Sequence, residues 1–159
     1  MLLRVSILVL AFIVPVVIGS KSEAANKFVF TAIPDQDESA LRKRFDKVAK
    51  YLSATLSKKV EYVPVKSYAA AVTAFRNNQV QLAWFGGLSG VRARMLVKGS
   101  TAIAQGKADP FFETYFIANA STGLTLSKDF PKKIAGKTFT FGSKGSTSGR
   151  LMPEYHIRK

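Results

Sequence analysis

The chain has 159 residues, no cysteine, one histidine, and a formal net charge of +14 from 24 basic and 10 acidic residues. The lack of cysteine excludes a disulfide scaffold, a thiolate metal site and a lipid-anchored start, which needs a cysteine at the cleavage point. The positive surplus raises the question of nucleic acid, but the basic residues stand singly or in pairs, as at Lys43 and Arg44 or Lys132 and Lys133, without interleaved aromatics. No nucleic-acid partner is expected, and the surplus would instead concentrate small anions.

Arg4 precedes an uncharged apolar stretch from Val5 to Ile18 and then small and polar residues ending in Ser22-Glu23-Ala24, the layout of a secretory signal peptide. Residues 1–25 are therefore expected to be a leader, cleaved after Ala24 or Ala25. The apolar stretch falls short of the roughly 20 residues that a spanning helix needs; a buried amino-terminal helix is the other reading. An exported protein without a lipid anchor is retained only behind an outer membrane, which points to the periplasm. The remainder fits one ordinary domain of about 100 to 200 residues.

Lys27 to Ile33 alternates apolar residues and predicts a first strand, and Pro34-Asp35-Gln36-Asp37 a turn. From Glu38 to Leu56, the spacing of Leu41, Phe45, Val48, Leu52 and Leu56 predicts a helix with this stripe in the core. Val60 to Val65 reads as a second strand, and Ser67 as the cap of a helix over Tyr68 to Arg76 that Asn77-Asn78 ends. Gln81 to Phe85 is a short third strand running into Gly86-Gly87, with a helix from Leu88 to Leu96. Further strands are expected at Thr101 to Gln105, Phe111 to Ala120 and Lys137 to Phe141, with a short turn or helix over Ser127 to Ile134. Alternating strands and helices predict an α/β fold, a largely parallel sheet covered on both faces. Such sheets bind ligands beyond the carboxyl ends of their strands, where both glycine turns fall.

The second of those turns carries the most chemistry. Gly142-Ser143-Lys144-Gly145-Ser146-Thr147-Ser148-Gly149 leads from a predicted strand into a predicted helix. A helix start leaves about four N–H groups unpartnered and carries roughly half a positive charge, and glycines let backbone approach a ligand closely. The run can be a mould for an oxyanion or simply a capped loop, though three hydroxyls in succession exceed what one cap needs. It is not a nucleotide phosphate loop, because Gly149 is followed by Arg150 and Leu151 rather than Lys and a hydroxyl residue. Nor is it a nucleophile elbow, because Thr147 stands where a serine is required and His156 is the only histidine. No nucleophile, general base and metal-ligand set occurs together, so no catalysis, cofactor or metal is expected. His156 reads as a helix-surface residue.

The string from Phe141 to Pro153 resembles a motif of periplasmic phosphonate-binding proteins, the receptors of oxyanion ABC importers. Lys66 to Val72 and Gln79 to Gly86 resemble two further segments of that family, and with Pro34 to Asp37 the chain is most similar to a selenate-receptor subgroup. The resemblance implies a periplasmic-binding-protein type II fold, two α/β lobes that close on ligand about a hinge. It assigns residues 26–118 to lobe one and 119–159 to the hinge and an incomplete start of lobe two, because family members are about twice as long. The chain would then be an amino-terminal half.

On the same grounds the anion ligands are Ser146, Thr147 and Ser148, faced from lobe one by Tyr68, Phe85, Gly86 and Ser89. The family's loop after the third strand reads Gly-Pro-x-Ser-Tyr, whereas this chain has Gly90 at the tyrosine position, which removes a contact to an organic phosphonate tail. The implied function is capture of a phosphonate, phosphate, phosphite or selenate-like anion by a monomer that serves ABC permease subunits in the inner membrane. A sensor or chemoreceptor partner built on the same lobe is the alternative; a neighbouring permease gene or histidine-kinase gene would separate the two.

Overall fold

The computed structural model describes residues 27–127, 130 and 132–159; the leader expected over 1–25 lies outside them. Three strands, β1 (Phe28–Ala32), β2 (Val60–Tyr62) and β3 (Leu82–Trp84), form a parallel sheet in the order β2-β1-β3. Phe30 of β1 pairs with Tyr62 on one side and Leu82 on the other. As the central strand β1 is apolar on both faces, and the two-residue period sends successive side chains to opposite sides. Phe30 and Ala32 pack with Leu41, Phe45 and Ala49 of α1 (Glu38–Leu56). Ile33 packs with Tyr68 and Ala71 of α2 (Tyr68–Arg76), against which α3 (Gly87–Leu96) lies. Both faces are thus covered, as the alternation predicts.

Under α1 the core is aromatic. Phe45 stacks on Tyr62 at 5.0 Å between ring centres, and Phe30 meets the two rings at 6.0 and 5.4 Å. Such pairs add about 0.5 to 1.5 kcal/mol each beyond the area they bury. Asp37 caps α1 by accepting the Ala40 N–H at 3.0 Å, and Ser57 ends it in the left-handed region at φ 48°. The expected stripe needs one correction. Leu41 and Phe45 are buried and Leu52 packs at the edge, but Val48 and Leu56 are exposed. Ala49 takes the inward position, because a helix turning 3.6 residues per turn carries the row 41, 45, 49, 52 toward the sheet and leaves 48 one step aside.

The strands expected at 101–105, 111–120 and 137–141 are not strands among the described residues; 3-10 turns occupy Asp109–Phe111 and Ala120–Thr122 instead. Their side-chain pattern suits a sheet, yet a strand exists only through a neighbour that takes its N–H and C=O groups, and here the sheet stops at three strands. The same limit trims β2 and β3 below their expected lengths. The turn anticipated over Ser127 to Ile134 is present at Lys132–Ile134, and part of it lies outside the described residues. Phe139 and Leu151 are both 45% exposed, against 2% for Leu41.

The helix expected from Ser146 forms in two parts. A π-helical turn over Thr147–Leu151 continues into α4 (Met152–Arg158). Pro153 supplies a reason for the local geometry: it has no N–H, so the carbonyl of Gly149, four residues earlier, lacks its α-helical donor. That carbonyl accepts the Gly142 N–H at 2.7 Å, closing the glycine turn on itself. Leu151 donates to the Ser146 carbonyl at 3.1 Å, the i to i−5 bond of a π turn.

Candidate functional site

Parallel strands send all their carboxyl ends to one side of the sheet, and the helices that follow β2 and β3 begin there. Ser67 caps α2 by accepting the Ala70 N–H at 3.1 Å. Gly86 opens α3, its N–H donated to Ser89 Oγ at 3.1 Å, and Ser89 Oγ lies 3.2 Å from the Gly86 carbonyl. The turn from Gly142 to Gly149 docks against both starts. Thr147 Oγ1 accepts the Leu88 N–H at 2.8 Å across 59 residues of sequence. Gly145 lies so close to Tyr68 that a Cβ on it would sit 2.5 Å from the Tyr68 Cβ. Three helix starts, each with unpartnered N–H groups and a partial positive charge, therefore meet at one place.

Within the turn the three hydroxyls have different surroundings. Ser146 Oγ accepts the Gly149 N–H at 3.0 Å, capping the helical run, and lies near enough to the Tyr68 hydroxyl to influence its ionisation. Thr147 holds α3. Ser148, half-buried, has no hydrogen-bond partner for its hydroxyl among the described residues. Because the first intrahelical donor is Leu151, the N–H groups of Thr147 and Ser148 stand outside the helical ladder. Ser148 is accordingly the member of the trio with both hydroxyl and backbone donor available to a ligand.

The residues expected on the facing wall divide. Tyr68 is 8% exposed and its ring belongs to the apolar cluster with Ile33 and Ala71, so the ring is core while the hydroxyl reaches the turn. Burial pushes the Tyr68 hydroxyl above its usual range, opposed by the Ser146 hydrogen bond and reinforced by nearby Asp35. It remains a neutral donor at physiological pH. Phe85 sets its ring edge-on to Phe75 at 5.7 Å and packs beneath α2. Ser89, 1% exposed, is held by Gly86. The structure thus brings Ser146, Thr147, Tyr68 and Gly86 together, with Phe85 and Ser89 supporting them from behind. His156 lies exposed on α4 beside Tyr155.

Sequence reasoning missed the close approach of Gly145 to Tyr68 and the Thr147 bond to Leu88. Each joins segments far apart in the chain, and local pattern carries no signal for either. The Pro153 and Gly149 pairing was open to inference, since an imino acid four residues after a turn carbonyl always frees it.

A parallel α/β body with helix starts and a hydroxyl-rich turn gathered at its strand ends is the architecture of a type II periplasmic binding protein. Residues 30–159 match the family described as ABC transporter, phosphonate, periplasmic substrate-binding protein, and the chain belongs to it. It is 47% identical over 130 residues to the probable ABC transporter phosphite binding protein PhnD1 of Prochlorococcus marinus (strain MIT 9301), covering 80% of this chain and 44% of that protein. It is 35% identical over 130 residues to the phosphate-import protein PhnD of Mycolicibacterium smegmatis, covering 77% and 38%. The structure of PhnD1 from Prochlorococcus marinus in complex with methylphosphonate matches at a TM-score of 0.67 and 41% identity, covering 84% of this chain and 50% of that one. The chain spans half or less of the length of these relatives.

Proposed function

We propose that this chain contributes the anion-gripping part of a periplasmic solute-binding protein, which captures a tetrahedral oxyanion and delivers it to the permease subunits of an ABC importer. The observation that carries the reading is the docking of the Gly142 to Gly149 turn on the starts of α2 and α3, with the Ser148 hydroxyl left unpartnered. Neutral donors and helix starts suit such a task. They stabilise a doubly charged anion, at about 1.5 to 3 kcal/mol per charged hydrogen bond, without a fixed cation that would slow release. The ligand class is phosphonate, phosphite, phosphate or a selenate-like anion, and the role is binding without catalysis, by a monomer exported to the periplasm behind the leader at 1–25.

The domain division goes with this reading: 26–118 as lobe one, 119–159 as the hinge and opening of lobe two. Thr147 and Leu88 then lie on opposite lobes, and their hydrogen bond is one that closure makes. Within the ligand class, Gly90 favours a compact anion over a phosphonate with a large substituent. Calorimetric titration of protein carrying both lobes with methylphosphonate, phosphite, phosphate, selenate and sulfate tests the proposal. At least one of these should bind, and Ser148→Ala should weaken it about tenfold, the 1.4 kcal/mol equivalent of one modest charged bond. Binding that is indifferent to Ser148→Ala and Thr147→Ala removes the turn from the site.

A further inference from the structure

α1 buries Leu41, Phe45 and Ala49 against the sheet and turns its opposite side to solvent. Lys43, Lys47, Lys50 and Ala54, at i, i+4, i+7 and i+11, line up along that opposite side with Tyr51 beside them, and all five are exposed. The other charges of the helix are engaged or set apart. Glu38 is taken by Arg42 at 3.1 Å and by Lys66 at 2.7 Å, and the Arg44 guanidinium lies 5.9 Å from the centre of the Phe45 ring. Asp46, at the margin of the row, is the one acid on α1 after Glu38. Lys43, Lys47 and Lys50 make no ion pair among the described residues.

Like charges three and four residues apart repel and weaken a helix, so folding alone offers no reason for the row. A helix face held in water by its own ion pairs alternates in sign; this one does not. An anionic partner removes the repulsion, and the shape of the surface selects its kind. A convex helix side, about 10 Å from Lys43 to Lys50, cannot enclose a small ligand. Lysine brings a flexible point charge, without the fork by which arginine fixes one carboxylate or phosphate in a single geometry. Such a row suits a plane of many mobile anions. Tyr51, 68% exposed, joins an apolar ring to a polar tip, the character of side chains that settle at the level of lipid headgroups.

We infer that the outward side of α1 is a docking surface for an anionic lipid bilayer, with Lys43, Lys47 and Lys50 on the headgroups and Tyr51 at their level. The contact is peripheral and reversible: each lysine adds about fivefold in affinity near such a surface, and salt screens the attraction. A binding protein resting on the membrane meets a permease by a search in two dimensions. The inference does not depend on the turn from Gly142 to Gly149 and goes beyond the capture of an anion there.

The chain has no cysteine, so Ala54→Cys places a single nitroxide label within the row, and Thr73→Cys places one on the exposed side of α2, across the sheet. With vesicles of equal parts phosphatidylglycerol and phosphatidylcholine at low salt, the label at Ala54→Cys should become shielded from a water-borne relaxation agent while the label at Thr73→Cys does not. Phosphatidylcholine alone, or high salt, should leave both labels in water. Lys43→Gln, Lys47→Gln and Lys50→Gln together should raise the lipid needed at Ala54→Cys about a hundredfold, whereas the corresponding triple change to Arg should keep the response. Every variant carries the same leader, so differences between labels and variants report α1. Equal shielding of the two labels, an unaltered response in the triple Gln variant, or shielding as strong on neutral vesicles overturns the inference. No shielding on anionic vesicles overturns it as well and leaves the row to an acidic protein.

Discussion

Gly145→Ala is the substitution that bears most directly on how the site is assembled. The added methyl would meet Tyr68 Cβ at 2.5 Å, Cγ at 3.0 Å and Cδ1 at 3.1 Å, well inside van der Waals contact. Cβ and Cγ of a buried ring cannot swing aside as the tip of a lysine can, so the turn must lift or the ring must tilt. Overpacking of this sort costs about 1 to 3 kcal/mol, and lifting the turn also stretches the Thr147 bond to Leu88, worth about 0.5 to 1.5 kcal/mol net. The strain falls on the contact between turn and helix starts, remote from Phe30, Leu41 and Phe45, so the α/β body stays folded. Hydrogen exchange of the Leu88 amide reads the event locally. At about 1.4 kcal/mol per decade, that amide should exchange at least five- to tenfold faster in the variant, with the Val63 amide, which donates to the Phe30 carbonyl at 2.8 Å, unchanged. Gly90→Ala is the control, because its Cβ meets only Phe85 Cβ at an ordinary 3.4 Å inside α3. It should stabilise the protein by about 0.5 to 1 kcal/mol through helix propensity. A folded Gly145→Ala protein with wild-type exchange at Leu88 would refute the docked arrangement.

Tyr68→Phe keeps the packed ring and removes only the hydroxyl that meets Ser146, so it should loosen anion binding with little change in Tm. Tyr68→Ala empties part of the core and should cost about 3 to 5 kcal/mol in denaturant unfolding; a larger Tm loss for Phe than for Ala would contradict the split between ring and hydroxyl. Tyr62 buries its hydroxyl without a partner among the described residues, so Tyr62→Phe should raise stability by about 1 kcal/mol in urea titration, and a fall in midpoint would show that the hydroxyl is satisfied. Glu154 is held below the usual carboxylate range, first by its Arg158 hydrogen bond, with burial opposing it next and Arg150 adding to the lowering. A lowered folded-state value means its stabilisation is complete above the ordinary carboxylate range and is lost as pH falls through the lowered value. Glu154→Gln should flatten the acid limb of the stability curve, and an unaltered limb would remove this carboxylate from the account.

Much of the body was legible from local pattern. The α1 and α2 spans, the Ser67 cap and the parallel sheet follow from apolar periodicity and capping chemistry, which act over a few residues and so leave a trace in a few residues. Even the donor-rich turn from Gly142 to Gly149 could be read, since hydroxyls and glycines before a helix announce their donors. Tertiary structure decided the rest. Whether Thr101 to Gln105, Phe111 to Ala120 and Lys137 to Phe141 become strands depends on a neighbouring strand, which no segment encodes for itself. That Tyr68 is core through its ring while it lies against the turn, that Thr147 caps α3, and that Arg92 shares a cleft with Lys144 and Arg150 all arise where distant segments meet. Composition supplied a positive surplus, but only the packing of α3 against the helical run determined where three of those charges gather.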